Sequence, residues 1–121
     1  MAGTLTDVLQ GLRQGGGFDM VAVVGADGLP IDSCNAPDMD PDSLAALAAN
    51  GLLMMDAIGQ ELRQGKATQA ILEFERSLVV LEPVQHDLVL MAVANGESNL
   101  GRVRLVLRRA LPEVAQAISA F

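Results

Sequence analysis

From Pro41 to about Gln64 the residue spacing predicts one long helix that is apolar on two opposite faces. Leu44, Leu47, Gly51, Met55, Ile58 and Leu62 recur at the three- and four-residue steps of a core-facing stripe. Ala46, Ala49, Leu53 and Ala57 form a second stripe, centred roughly half a turn away at about 100° per residue. A helix that is hydrophobic all round is ordinarily buried on every side. A chain of 121 residues has little material left to cover the second stripe itself, so the expected cover is another protein chain. The plainer reading is that alanines favour helix and Leu53 is one stray exposed leucine. Met54 and Met55 are adaptable side chains. Met55 falls on the core stripe and Met54 on its flank, so core packing is the expectation for both.

The length fits a single domain over residues 1–121, large enough to hide about two-thirds of its unfolded surface. Half of the residues are hydrophobic (50%) and only 2% aromatic, so the core must be built from Leu, Val, Ile, Ala and Met. A net charge of -7 argues against a general nucleic-acid binder, which needs a basic footprint. Cys34 is the one cysteine; without an internal disulfide partner it fits a reducing cytosol. Met1-Ala2-Gly3-Thr4 lacks the basic and apolar segments of a signal peptide, and no apolar run reaches the length of a membrane span. A soluble cytoplasmic domain without stable membrane insertion is expected.

Around the long helix the chain reads as two further helices and five strands. Thr4 or Thr6 caps a short first helix with Asp7 near its positive end, and Gly15-Gly16-Gly17 ends it. Phe18 to Gly25 and Leu29 to Cys34 are strands joined by Ala26-Asp27-Gly28-Leu29, since Asp-Gly between apolar runs is a strong hairpin signal. Pro30 lacks a backbone donor, which puts the second strand at an edge. Asp40 before Pro41 starts the long helix, and Gly65 closes it. Ala67 to Glu75, Ser77 to Pro83 and Leu88 to Asn95 form a meander. A last helix from about Asn99 carries the stripe Leu100, Val103, Leu107, Leu111, Val114, Ile118 and Phe121, with Pro112 expected to kink or break it. Met20–Val24, Leu78–Leu81 and Leu88–Ala94 are nearly continuous apolar runs, so the sheet is expected to be covered on both faces. The fold class is thus an α/β sandwich of order α-β-β-α-β-β-β-α, the long helix on one face and the terminal helices on the other.

The third strand has no proline to protect it, and an unprotected edge is a template for another chain. Residues Thr68, Gln69, Ala70, Ile71, Leu72, Glu73 and Phe74 are therefore the expected seam of a symmetric homodimer, with the long helix close by. Glu73 and Glu75 act as solubility gatekeepers on that edge rather than as a catalytic carboxylate pair.

Arg102, Arg104, Arg108 and Arg109 hold half of the chain's Lys and Arg. They form either a patch for acidic protein, phosphate or anionic lipid, or a solvated flank. Gly15-Gly16-Gly17 is followed by a strand and no Lys-Ser/Thr, which excludes a phosphate loop. His86 stands alone in a turn beside Asp87, so a metal site is not expected. Cys34 has no base partner, and Ser33 and Ser43 lack the nucleophile-elbow context. The sequence offers no catalytic residue, no cofactor motif and no enzyme constellation.

Val21-Ala22-Val23-Val24-Gly25-Ala26-Asp27-Gly28-Leu29-Pro30-Ile31, Asp42-Ser43-Leu44-Ala45, Gln69-Ala70-Ile71-Leu72-Glu73-Phe74-Glu75 with Leu78-Val79-Val80-Leu81, Leu88 to Ala94 and Asn99-Leu100-Gly101-Arg102-Val103-Arg104 follow one another in an order and spacing that resembles the Roadblock/dynein light chain family, in particular its short bacterial MglB-like branch. The resemblance runs from about residue 4 to 119. It implies a profilin-like or longin-like sandwich that dimerises edge to edge through the third strand and serves as a platform, regulator or scaffold for small Ras-like GTPases. Carried over by position, Ala46, Ala49, Asn50, Leu53, Asp56, Ala57 and Gln60 would face the partner or GTPase, with Leu53 as apolar anchor. The function implied is a non-enzymatic homodimeric module acting on the nucleotide cycle or localisation of such a GTPase. The alternatives are a structural adaptor without effect on turnover and a small-molecule sensor, for which the apolar strands offer few converging polar groups.

Overall fold

The computed structural model describes residues 3–85 and 87–120; the readings of His86, of the first two residues and of Phe121 lie outside them. Among the described residues the elements are α1 (Leu5–Gly16), β1 (Met20–Gly25), β2 (Pro30–Asn35), α2 (Pro41–Leu62), β3 (Ala70–Glu73), β4 (Ser77–Pro83), β5 (Leu88–Asn95) and α3 (Leu100–Ser119). The order is the expected one. Thr4 caps α1 in a reciprocal box, its hydroxyl accepting from the Asp7 N–H while the Asp7 carboxylate accepts from the Thr4 N–H. Gly17, at φ 69°, stops the helix in a left-handed turn.

Asp40 starts α2 by accepting from the backbone N–H groups of Asp42 and Ser43, and the Ser43 hydroxyl donates to its Oδ2 at 2.8 Å. These bonds, that of the Ser43 side chain foremost, hold the Asp40 carboxyl below its ordinary range. A depressed carboxylate stabilises the fold above its unfolded pKa and loses that contribution as pH falls through the folded one. Acid unfolding should therefore contain an Asp40 component below about pH 4. Asp40→Asn, which keeps an oxygen for the cap, should flatten that part of the stability–pH curve; an unchanged curve would remove Asp40 from it.

The helix closes two residues earlier than the sequence predicts. Arg63, not Gly65, takes the left-handed cap position at φ 54°, and Gln64 N–H returns to the Gly59 carbonyl. Gly59 has no room for a side chain because the Gly65 carbonyl lies over its Cα.

The five strands form one antiparallel sheet of order β2-β1-β5-β4-β3. β1 and β5 are central, and every residue of β1 is buried. On one face α1 and α3 pack over Val21, Val23, Val80, Leu90 and Ala92; on the other α2 packs over Met20, Ala22, Val24, Leu81, Val89, Met91 and Val93. Both faces are covered, as the continuous apolar strands require. Pro30 does lie on an edge strand, and the ladder between β1 and β2 slips between Val23 and Val24.

Three further expectations are corrected. The third strand is only Ala70–Glu73: Thr68 and Gln69 precede it, and Glu75 belongs to the turn into β4. Gln69 instead donates to the buried Glu82 carboxyl group, giving a polar group shielded from water a hydrogen-bond partner. Pro112 does not break α3, which continues from Leu100 to Ser119 with the proline on its exposed side. The largest correction concerns α2. Its buried residues are Ala45, Ala48, Ala49 and Leu52, whereas Leu47, Ile58 and Leu62 from the expected core stripe are exposed, and so is Met54. Leu44 and Met55 are half-buried at the border of the core. The cause is volume: the facing sheet layer is filled by Met, Val and Leu side chains, so the helix approaches closely only by turning alanines inward.

Candidate functional site

With its small residues against the sheet, α2 presents two exposed flanks, and two close approaches fix which way each one looks. Gly51 lies so near the Leu81 side chain of β4 that a Cβ would stand 3.0 Å from it. On the other side Gly28, in the β1–β2 turn at φ 85°, approaches Ala46 Cα at what would be Cβ contact distance, 3.5 Å. One flank therefore looks toward β4 and the edge strand β3, and the opposite one toward β2. Helical phase places Leu47, Ile58 and Leu62 with Gly51 on the β3-side flank, and Asn50, Leu53, Ala57 and Gln60 with Ala46 on the opposite, β2-side flank, which starts at the β1–β2 turn and ends with Gln60 beside Gly65 and Lys66.

The apolar β3-side flank continues onto the sheet. Ala70 packs in the layer under α2 and Ile71 in the layer under α3, so alternation puts Leu72 and Phe74 on the α2 face. Both are exposed, and Leu72 stands opposite the half-buried Val79. The backbone of this edge is open. Phe74 N–H donates to the Ser77 carbonyl at 2.8 Å, and hydrogen-bonded pairs alternate along an antiparallel ladder. Ala70 and Leu72 thus direct their backbone groups to β4, whereas Ile71 and Glu73 direct theirs outward. A helix flank, an apolar strip and an unpaired strand edge adjoin one another.

Of the residues named from the sequence for a partner, Ala46, Asn50, Leu53, Ala57 and Gln60 are brought together on the β2-side flank, all exposed, Leu53 by 61%. Ala49 is the correction: it is 5% exposed and belongs to the core, its methyl pointing to the sheet because the close helix–sheet approach admits only small residues there. Asp56 is half-buried beside Leu52, Lys66 and Pro83. Leu47, Ile58 and Leu62, which the spacing assigns to the core, are exposed, and so are Leu29 and Ile31 beside Pro30, where large apolar residues on both sides of a proline in an edge strand are the signal in the sequence.

The four arginines do not form one patch. The Arg102 guanidinium donates to the carbonyls of Gly16 at 3.1 Å and Gly15 at 3.4 Å, tying the start of α3 to the end of α1, where orphan carbonyls carry the negative helix pole. Arg109 lines a groove of about 520 Å³ between α1 and α3, with Asp7 and Glu113. Arg104 and Arg108 flank the exposed Leu105 on another side of α3. Cys34 is half-buried and packs toward α1 and α3. Among the described residues no group of three His, Cys, Asp or Glu could hold a metal ion, and no helix is long and apolar enough to cross a membrane.

The chain is similar over its whole length to solved structures. Myxococcus xanthus MglB superimposes with a TM-score of 0.89 at 21% identity, covering 97% of this chain and 96% of that one. An MglB with tetrameric arrangement gives 0.85 at 20% identity, with 97% and 90% covered. Schizosaccharomyces pombe profilin gives 0.66 at 12% identity, with 93% and 98% covered, which makes the sandwich profilin-like. No curated protein matches the sequence significantly. Residues 4–94 match the model of the Roadblock/LC7 domain, and the chain belongs to that family.

Proposed function

We propose that this chain is a homodimeric, non-enzymatic platform for a small Ras-like GTPase, biasing its nucleotide cycle or its location in the cytoplasm. The observation that carries the reading is the division of α2 into two exposed flanks. The β3-side flank, with Leu47, Ile58 and Leu62, runs into Leu72, Phe74 and the unpaired groups of Ile71 and Glu73. A second copy of this chain satisfies all of these at once, pairing β3 with β3 and extending two sheets into one. The β2-side flank, with Ala46, Asn50, Leu53, Ala57 and Gln60, then remains open for the GTPase. Family membership supports the reading, as does the self-assembly of an MglB in a tetrameric arrangement.

The test is direct. The purified protein is mixed with a Ras-like GTPase of the same genome, loaded with GDP or with a non-hydrolysable GTP analogue, and a complex is expected in at least one state. Hydrolysis and exchange rates are then measured with and without the protein, and a change in either is expected. No complex in either state removes the reading. A complex with both rates unchanged removes the effect on the nucleotide cycle and leaves a platform that only localises the GTPase, as a structural adaptor does.

A further inference from the structure

Leu29 and Ile31 stand on either side of Pro30, 63% and 45% exposed. Neither is buried in the core, and the turn that leads into them lies beside α2, where Gly28 abuts Ala46 on the β2-side flank. The turn itself is rigidly built. Leu29 N–H donates to Asp27 Oδ1 at 3.1 Å, Gly28 N–H to the Gly25 carbonyl and Gly25 N–H to the Leu29 carbonyl, both at 3.0 Å. The turn thus sets the apolar pair at a fixed place close to the Ala46 end of that flank.

What covers this pair is constrained by the strand that bears it. β2 is a poor template for a second copy, because Pro30 offers no N–H and the β1 ladder is irregular at that point. Cover must come through side chains rather than through sheet extension. The border of the patch is acidic: Asp27 is exposed in the turn, and Asp42 is exposed one helical turn before Ala46. An apolar surface edged by carboxylates complements an apolar surface edged by Lys or Arg.

We propose that the β1–β2 hairpin, through Leu29 and Ile31, is a specificity-determining contact for the GTPase, gripping an apolar patch on it that is bordered by basic residues. The inference rests on the reading above that the β2-side flank of α2 receives the GTPase. Hairpin and helix flank then form one surface, in which the helix gives a flat contact and the hairpin a raised apolar ridge.

The experiment uses the full chain, a GTP-analogue-loaded Ras-like GTPase that the wild type captures, and two variants. Leu29→Ser with Ile31→Ser removes the ridge at exposed positions, and unchanged circular dichroism verifies the fold. Its affinity is expected to fall at least about tenfold, as for truncation of an apolar anchor, with the dimer mass unchanged. Asp27→Asn keeps the oxygen that accepts from Leu29 N–H but removes the charge, and should weaken the salt dependence of association. Capture by the wild type with an unaltered Kd for the double variant overturns the hairpin proposal alone. A loss of dimer mass in that variant also overturns it, by assigning the ridge to a second copy. A wild type that captures no GTPase overturns both this inference and the reading it rests on.

Discussion

A variant carrying Ile58→Glu and Leu72→Glu should run in light scattering at half the mass of the wild type, with its helix and strand content intact. Ile58 is 54% and Leu72 46% exposed, so neither substitution empties the core, and each leaves about half of its side-chain surface to be buried by a second copy. Full burial of such a side chain is worth about 1.5–3 kcal/mol, so about 1 kcal/mol per residue remains available. Twofold symmetry counts every substitution twice. Four positions at about 1 kcal/mol each weaken association by about three powers of ten, before the repulsion of four carboxylates brought to one seam. Two outcomes would sink the edge-pairing argument: a variant that stays dimeric at micromolar concentration, or a wild type that is already monomeric.

Leu53→Arg has the opposite signature. Leu53 lies on the β2-side flank, turned away from the β3 edge, and is 61% exposed. The dimer should persist at wild-type mass while binding of the GTPase falls by about ten- to a hundredfold, the effect of placing a charge on a central apolar anchor. Loss of the dimer would move Leu53 to the subunit seam and reverse the assignment of the two flanks. Undiminished GTPase binding would take the residue out of the partner surface altogether. Measured side by side, the two variants separate self-association from partner binding, because they alter opposite flanks of one helix.

The framework of the fold was legible because its signals are local. Asp40-Pro41 opens α2 at the expected residue, and β4 and β5 run over the expected ranges, since caps, turns and apolar runs act within a few residues of themselves. The orientation of α2 was not legible. Its two stripes were both visible in the sequence, but the face that turns inward, Ala45, Ala48 and Leu52, lies between them and is selected by the free volume above Met20, Leu81, Val89 and Met91, residues brought together only by the completed sheet. Judged by side-chain size alone, Leu47, Ile58 and Leu62 belong inside; judged by the space left to them, Ala45 and Ala48 do. The partner surface shared this fate. Ala49 was counted outward with Ala46 and Leu53, although it falls on the part of the helical circumference that a close sheet contact consumes. Arg102 was likewise grouped with its sequence neighbours, because its acceptors at Gly15 and Gly16 are far away in the chain.

The two edges of the sheet are unequal: β3 keeps unpaired backbone groups, whereas β2 carries Pro30 and an irregular ladder. For the homodimer proposed above, that inequality sets a stoichiometry. When two copies join through β3, both receptive edges are consumed, and the doubled sheet ends on each side in a strand that does not accept another. Growth by sheet extension stops at two, so raising the concentration fills the dimer and does not lengthen a fibre. An open edge, ordinarily a route to aggregation, here becomes a counting device.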